Sequence, residues 1–404
     1  MNDEDRTQSV SAPAKSDSPG GADVAVQWRR VVRRRSFLHG IGVAGAAVAG
    51  SRLARADSKK LPKGDADILR LLAAAELIES DLWSQYAELG GVNGGNPAYM
   101  TALTNLDSDM PQYITDNTDD ELSHAAYINA YLASKGEKTV DFSGFLKPLA
   151  SSATGASQVG RLTNLKQLDV DTSWWSRYRS VDNIDVNPNA NFPQAITIKN
   201  QPAIPISDKD TDPVASAPPV PFGGVVTTQQ TRMQAIANAA GFHFAFIEQG
   251  GSSLYPTMAL KVTNLEVLRI VLSIGGVEID HFALWHDKAG NIVPLTDPET
   301  GTVFPNLNGP PFNTMGQPNT PPGDNDNLFQ TNLILPEPTV FLSSSLPPVS
   351  VIRPTSVAQS GAVAAIQSFV NDNLFMGQSA GFLQAVMDLA AKADAAKREA
   401  GHDD

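Results

Sequence analysis

Apolar residues recur every three to four positions in four long stretches of the chain, the spacing of one buried helix face. From Asp65 to Leu89 the stripe runs through Leu69, Leu72, Ala73 and Trp83, and Gly90-Gly91 marks its stop. From Met110 to Ser134 it runs through Ile114, Glu121, His124, Ile128 and Tyr131, ending before Gly136. Thr227 to Gly250 carries Met233, Ala237, Gly241, Phe244 and Glu248, and Asn264 to Asp287 carries Val267, Val271, Ile274, Glu278, His281 and Trp285. These patterns predict helices at about 65–89, 110–134, 227–250 and 264–287 and an all-α fold. A last, Ala-rich helical region is predicted between Val357 and Ala400, with Phe369, Phe375 and Phe382 on it.

Two long stretches break the rhythm. Residues 140–226 contain Trp174-Trp175, Arg177-Tyr178-Arg179, Asn187-Pro188 and a Pro-rich run from Pro213 to Pro221. They read as a long crossover with short helical or strand pieces. Residues 291–350 are rich in Pro and Asn and predict irregular loop. No repeat of fixed period is present; the order is helix pair, long connection, helix pair.

The first 56 residues read as a leader rather than as fold. Arg33-Arg34-Arg35-Ser36-Phe37-Leu38 is similar to the twin-arginine export motif, with Arg34 and Arg35 as the pair. An apolar run from Ile41 to Gly50 follows, rich in Gly and Ala and too short to span a bilayer. Ala54-Arg55-Ala56 has the small-x-small form of a cleavage site. The expectation is a periplasmic or otherwise exported protein, carried folded by the twin-arginine machinery.

The chain has 404 residues and a net charge of −13. Cutting after Ala56 would remove nine Lys or Arg and five Asp or Glu, taking the net charge to −17. Such acidity provides no basic excess for phosphates, so no nucleic-acid partner is expected. The sequence has no cysteine, which excludes disulfides, thiolate nucleophiles and cysteine-ligated metals. Any metal must be held by His, Asp or Glu.

Glu121-Leu-Ser-His124 and Glu278-Ile-Asp-His281 are both Glu-x-x-His. Residues three apart share a helix face, so each pair can reach one ion. Twelve Glu and six His in 404 residues give roughly 0.2 such pairs by chance. Both pairs also lie in stripes that are otherwise apolar, where an unpartnered carboxylate is costly. Glu76 and Glu248 occupy similar stripes on the other two helices. The order is therefore Glu, Glu-x-x-His, Glu, Glu-x-x-His, one set per helix, as a four-helix bundle holding two metals requires. On the first helix Glu79 lies one turn on, in a competing stripe, and spacing alone does not separate it from Glu76.

With these residues the sequence resembles the ferritin-like di-iron carboxylate superfamily, and more narrowly the exported ferritin-like proteins related to the desiccation-related family. Glu76-Leu-Ile-Glu79 with Trp83, Asp120-Glu121-Leu-Ser-His124, Phe246-Ile-Glu248 and Glu278-Ile-Asp-His281 carry the resemblance, together with the segment from Leu168 to Arg179. It implies a ferritin-like bundle over residues 57–290 with the insertion at 140–226, and a C-terminal helical region, 351–404, packing on that bundle. It also implies two iron ions, or manganese as the alternative. Glu121 and Glu278 would bridge them, His124 and His281 would each cap one, and Glu76 (favoured over Glu79) and Glu248 would be terminal carboxylates.

Asp120 is read as an acceptor that orients an imidazole, or else as a solvated helix-face acid. His243 and His286 are read as packed rather than ligating. Trp83, Tyr86, Tyr127 and Tyr131 lie within two turns of the ligands and are read first as aromatic filling. The glycine pairs 250–251 and 275–276, each within three residues of a ligand, are read as close helix contacts. The expected activity is redox chemistry on O2, peroxide or Fe(II), with manganese-based peroxide disproportionation and a non-catalytic, stress-associated metal protein as alternatives.

Overall fold

A computed structural model describes residues 60–175, 194–210, 232–305, 307, 345 and 361–399. These residues belong to one compact unit, Arg55–Asp404. The leader with Arg34 and Arg35, residues 176–193 and 211–226 of the insertion, and most of 291–350 lie outside the described residues.

The class is all-α. Helices α1 (Lys63–Gly90), α2 (Pro97–Thr104), α3 (Met110–Ser134), α4 (Arg232–Ala259), α5 (Leu265–Ala289), α6 (Ala362–Asn371) and α7 (Ala380–Asp394) make up most of it. Among the described residues, strand is limited to an antiparallel pair, β1 (Leu295–Thr296) and β2 (Val303–Phe304), and two isolated bridges, Lys147 with Arg161 and Leu168 with Gln201.

The four long helices pack two by two, α1 against α3 and α4 against α5. Polar residues fix the turn between α4 and α5. Asn264 accepts from the backbone N–H groups of Glu266 and Val267, capping α5. Asp65, buried on α1, accepts from Thr263 N–H and Asn264 N–H, so one carboxylate anchors the α4–α5 turn to α1. Short α2, which the periodicity did not predict, begins on an Asn96 cap followed by Pro97 and packs against α4. The insertion is pinned to α1 by Asp81, which accepts from Leu162 N–H, Thr163 N–H and the Thr163 hydroxyl.

Two expectations need correction. The third long helix does not end at Gly250; it continues through Gly251 and Pro256 to Ala259. Burial of Leu254, Tyr255 and Met258 outweighs the cost of about 1 kcal/mol that an interior glycine carries. The C-terminal region is two helices rather than one. The break lies where Asn373 and Gly377 adopt positive φ, and α7 then folds back along α6 and onto α1.

Candidate metal centre

Each long helix turns one carboxylate inward, and α3 and α5 add one imidazole each. Glu76, Glu121, Glu248 and Glu278 are fully buried, and His124 and His281 nearly so. Two groups of donors form. Ligand atoms of Glu76, Glu121, His124 and Glu278 lie within 4.8 Å of one another, as do those of Glu121, Glu248, Glu278 and His281. Glu121 and Glu278 belong to both groups. His124 Nδ1 stands 3.3 Å from Glu76 Oε2, 3.3 Å from Glu121 Oε2 and 3.4 Å from Glu278 Oε1. His281 Nδ1 stands 3.1 Å from Glu121 Oε1 and 3.4 Å from Glu248 Oε2.

Glu76 Oε2, Glu248 Oε2, both oxygens of Glu278 and His281 Nδ1 are buried without a hydrogen-bond partner among the described residues. Native cores rarely leave such atoms unsatisfied, and these five all belong to residues of the two donor groups. Four carboxylates gathered out of water repel strongly unless cations stand between them. All-oxygen and imidazole donors fit divalent iron or manganese. The residues present therefore suit a pair of such ions.

The remaining oxygens are held from outside. Glu76 Oε1 accepts from the Tyr255 hydroxyl of α4. Glu248 Oε1 accepts from Trp83 Nε1 at 2.9 Å and from Asn117 Nδ2 at 3.1 Å. Asn117 Nδ2 also donates to Glu121 Oε1 at 2.7 Å, and its Oδ1 accepts from Trp285 Nε1 at 2.6 Å. His281 turns its outer nitrogen, Nε2, to Asp120 Oδ2 at 3.1 Å. Trp83 stacks on Trp285 and on Phe244, with centroids 5.3 and 4.9 Å apart, and walls the centre on one side.

Electrostatics follow from this crowding. Burial, and then the neighbouring carboxylates, push Glu278 and Glu79 well above the usual carboxylate range. Burial, with the charge of Glu248 next, lifts Glu121 to about 8. For His124 burial opposes the charged form, yet contacts with Glu121, Glu278 and Glu76 outweigh it and raise the imidazole to about 12. His281 is raised in the same way, against burial, by Glu248, Asp120 and Glu121. Without metal, the centre thus retains protons at neutral pH.

All six residues expected as ligands meet here. Glu79 is buried one turn away but belongs to neither donor group. Asp120 reaches the imidazole of the facing helix, not that of its own. His243 is packed, its Nδ1 at 2.7 Å from the Tyr86 hydroxyl and its Nε2 at 3.0 Å from Asp372 Oδ2. His286 is packed too, against Trp174, Trp175 and Phe282, while Arg177 and Arg179 lie outside the described residues. Tyr127 corrects its expectation: it is 55% exposed and fills no core. Of the glycines, Gly275 makes the expected close contact, since a Cβ there would lie 2.7 Å from Tyr255 Cβ. Gly251 makes a different one, for its Cβ would collide with the Glu278 carboxylate. Gly250 has only an ordinary neighbour and Gly276 none within 4 Å.

Asn117 and Tyr255 were not found from the sequence. Asn117 carries a usable signal, being four residues before Glu121 on the same stripe. Tyr255 carries none, because it lies past the glycines taken as the helix end. No protein-family model, curated protein or solved structure matches the chain.

Proposed function

We propose that the protein is a ferritin-like four-helix bundle whose centre holds two divalent ions, iron by preference, for redox chemistry with O2, hydrogen peroxide or Fe(II). The observation that carries this reading is the pair of donor groups sharing Glu121 and Glu278. In it those two carboxylates bridge, Glu76 and His124 complete one position, and Glu248 and His281 complete the other. Iron is preferred because of the sequence resemblance; manganese suits the same donors. When bound, such a pair supplies a two-electron redox couple.

The chain's own part is positional. Trp83 and Asn117 occupy Oε1 of Glu248 and Tyr255 occupies Oε1 of Glu76, so each terminal carboxylate turns Oε2 inward. Glu278, whose oxygens have no hydrogen-bond partner among the described residues, has both available, and Gly251 leaves the space its carboxylate occupies. The packed rings of Trp83, Phe244 and Trp285 exclude water on their side. In the same reading Arg34-Arg35 directs export of the folded protein with its ions already loaded. Among the described residues no helix is long and apolar enough to cross a membrane.

The test is metal analysis of the mature protein, followed by anaerobic Fe(II) and then O2. Two ions per chain and a di-ferric absorption are expected. Absence of that absorption would sink the di-iron assignment, and native manganese with peroxide turnover would redirect it to disproportionation. Stoichiometric metal without either turnover would leave a metal-binding protein that is not catalytic. Glu121→Ala combined with His281→Ala is expected to abolish stoichiometric binding.

A further inference from the structure

The two Glu-x-x-His motifs are alike in sequence but not in what stands behind their imidazoles. His281 Nε2 is bonded to Asp120 Oδ2 at 3.1 Å, across from α5 to α3. The contacts of His124 all run through Nδ1, and among the described residues no side chain is hydrogen-bonded to its Nε2. The difference is written in the sequence. Asp120 immediately precedes Glu121, whereas the residue immediately before Glu278 is Val277, whose side chain accepts no hydrogen bond. Asp120 keeps 51% of its side chain exposed, so it remains a solvated carboxylate while it touches the ring.

A carboxylate on the far nitrogen of a metal-binding imidazole fixes the ring and makes its near nitrogen a stronger donor; removing such a partner typically costs 10- to 100-fold in metal affinity. The other donors match in number, one terminal carboxylate to each position and two shared between them, while Asn117 adds a hydrogen bond on the Glu248 side alone. Both terminal carboxylates are held from outside by an aromatic donor.

We infer that the two positions are unequal. The one built by Glu248 and His281 is the tight, resident position, filled first. The one built by Glu76 and His124 is weaker by roughly 10- to 100-fold and exchanges its ion. Asp120 is the positioning residue that sets the difference. This rests on the di-metal reading above.

The experiment is an anaerobic titration of the metal-free mature protein with Co(II), followed by absorption and chelator competition. Two steps are expected, separated by roughly 10- to 100-fold. His281→Ala should remove the tight step and His124→Ala the weak one. Asp120→Asn, at a half-exposed position, should weaken only the tight step. Val277→Asp, verified to melt like the unaltered protein, should strengthen only the weak step. Two equal steps overturn the inequality and leave the di-metal reading intact. So does an Asp120→Asn effect on the step that His124→Ala removes, or a Val277→Asp protein with an unchanged weak step. A protein that binds no Co(II) overturns both.

Discussion

Asn117 places one amide against three partners that come from three different helices. Its NH2 spans Glu121 and Glu248 and its oxygen takes the indole N–H of Trp285, so its orientation is fixed. Replacing it with Ala would strip hydrogen bonds from two buried carboxylates and leave a buried indole N–H unpaired. We expect a loss of about 1–3 kcal/mol, read from denaturant unfolding. The proton balance leads to a second expectation. Glu121 rises from 4.5 to about 8 on folding, so the metal-free native state binds more protons than the unfolded chain between those values. Its contribution to stability is complete below about 4.5 and is lost as the pH rises through about 8. His124, raised to about 12, acts in the same direction over a higher range. The metal-free protein should therefore melt at lower temperature at pH 9 than at pH 6. In the proposed di-metal state the ions would displace these protons, so their apparent affinity should rise with pH; calorimetry in buffers of different ionisation enthalpy measures the release. The six candidate ligands were legible because a charged residue in an apolar stripe needs a reason. Asn117 could have been found on the same ground, as a polar residue one turn before Glu121 on its stripe, whereas Tyr255 lies past the glycines that mark the predicted helix end.

The glycine pairs show what a helix element discloses and what it conceals. Sequence marks them as weak points but cannot say which one faces a neighbour. Gly275 abuts Tyr255 Cβ, an atom with no freedom to swing away, whereas Gly276 faces open space. Gly275→Ala is expected to destabilise by about 1–3 kcal/mol through overpacking. Gly276→Ala is expected to stabilise by about 0.5–1 kcal/mol, since it only removes glycine's backbone entropy. Opposite shifts in the urea midpoint would demonstrate the asymmetry. Periodicity located α1, α3 and α5 to within two residues at each end, because glycines lie at or just past the ends of their stripes and Asn264 caps α5. It failed for α4, where buried Leu254, Tyr255 and Met258 carry the helix past two glycines and a proline. Eight-residue α2 was missed because it is shorter than the window in which a helical period stands out.

For the whole molecule, the four long helices do not close their core unaided. The C-terminal pair supplies Phe369, Phe375 and Phe382, all buried, and α7 lies along α1. Asp372, just past α6, is raised to about 6 by burial and bonds His243 on the helix that carries Glu248. A variant ending at residue 360 should lose cooperative unfolding and gain protease sensitivity around α1 and α4, as limited proteolysis would show. The sequence announced that a C-terminal helical region exists. It did not announce that one of its carboxylates enters the core, because no local pattern pairs residues 129 positions apart.

That contact also dates the fold. Synthesis runs from the N-terminus at about 5–20 residues per second, so all six proposed ligands leave the ribosome several seconds or more before Asp372 does. During that interval His243 faces a core without its acid, and α1 lacks the cover of α7. The six candidate ligands are thus all present in the growing chain before the residues that close the far side of its core. Closing the core around His243 therefore waits for the last few dozen residues of the chain.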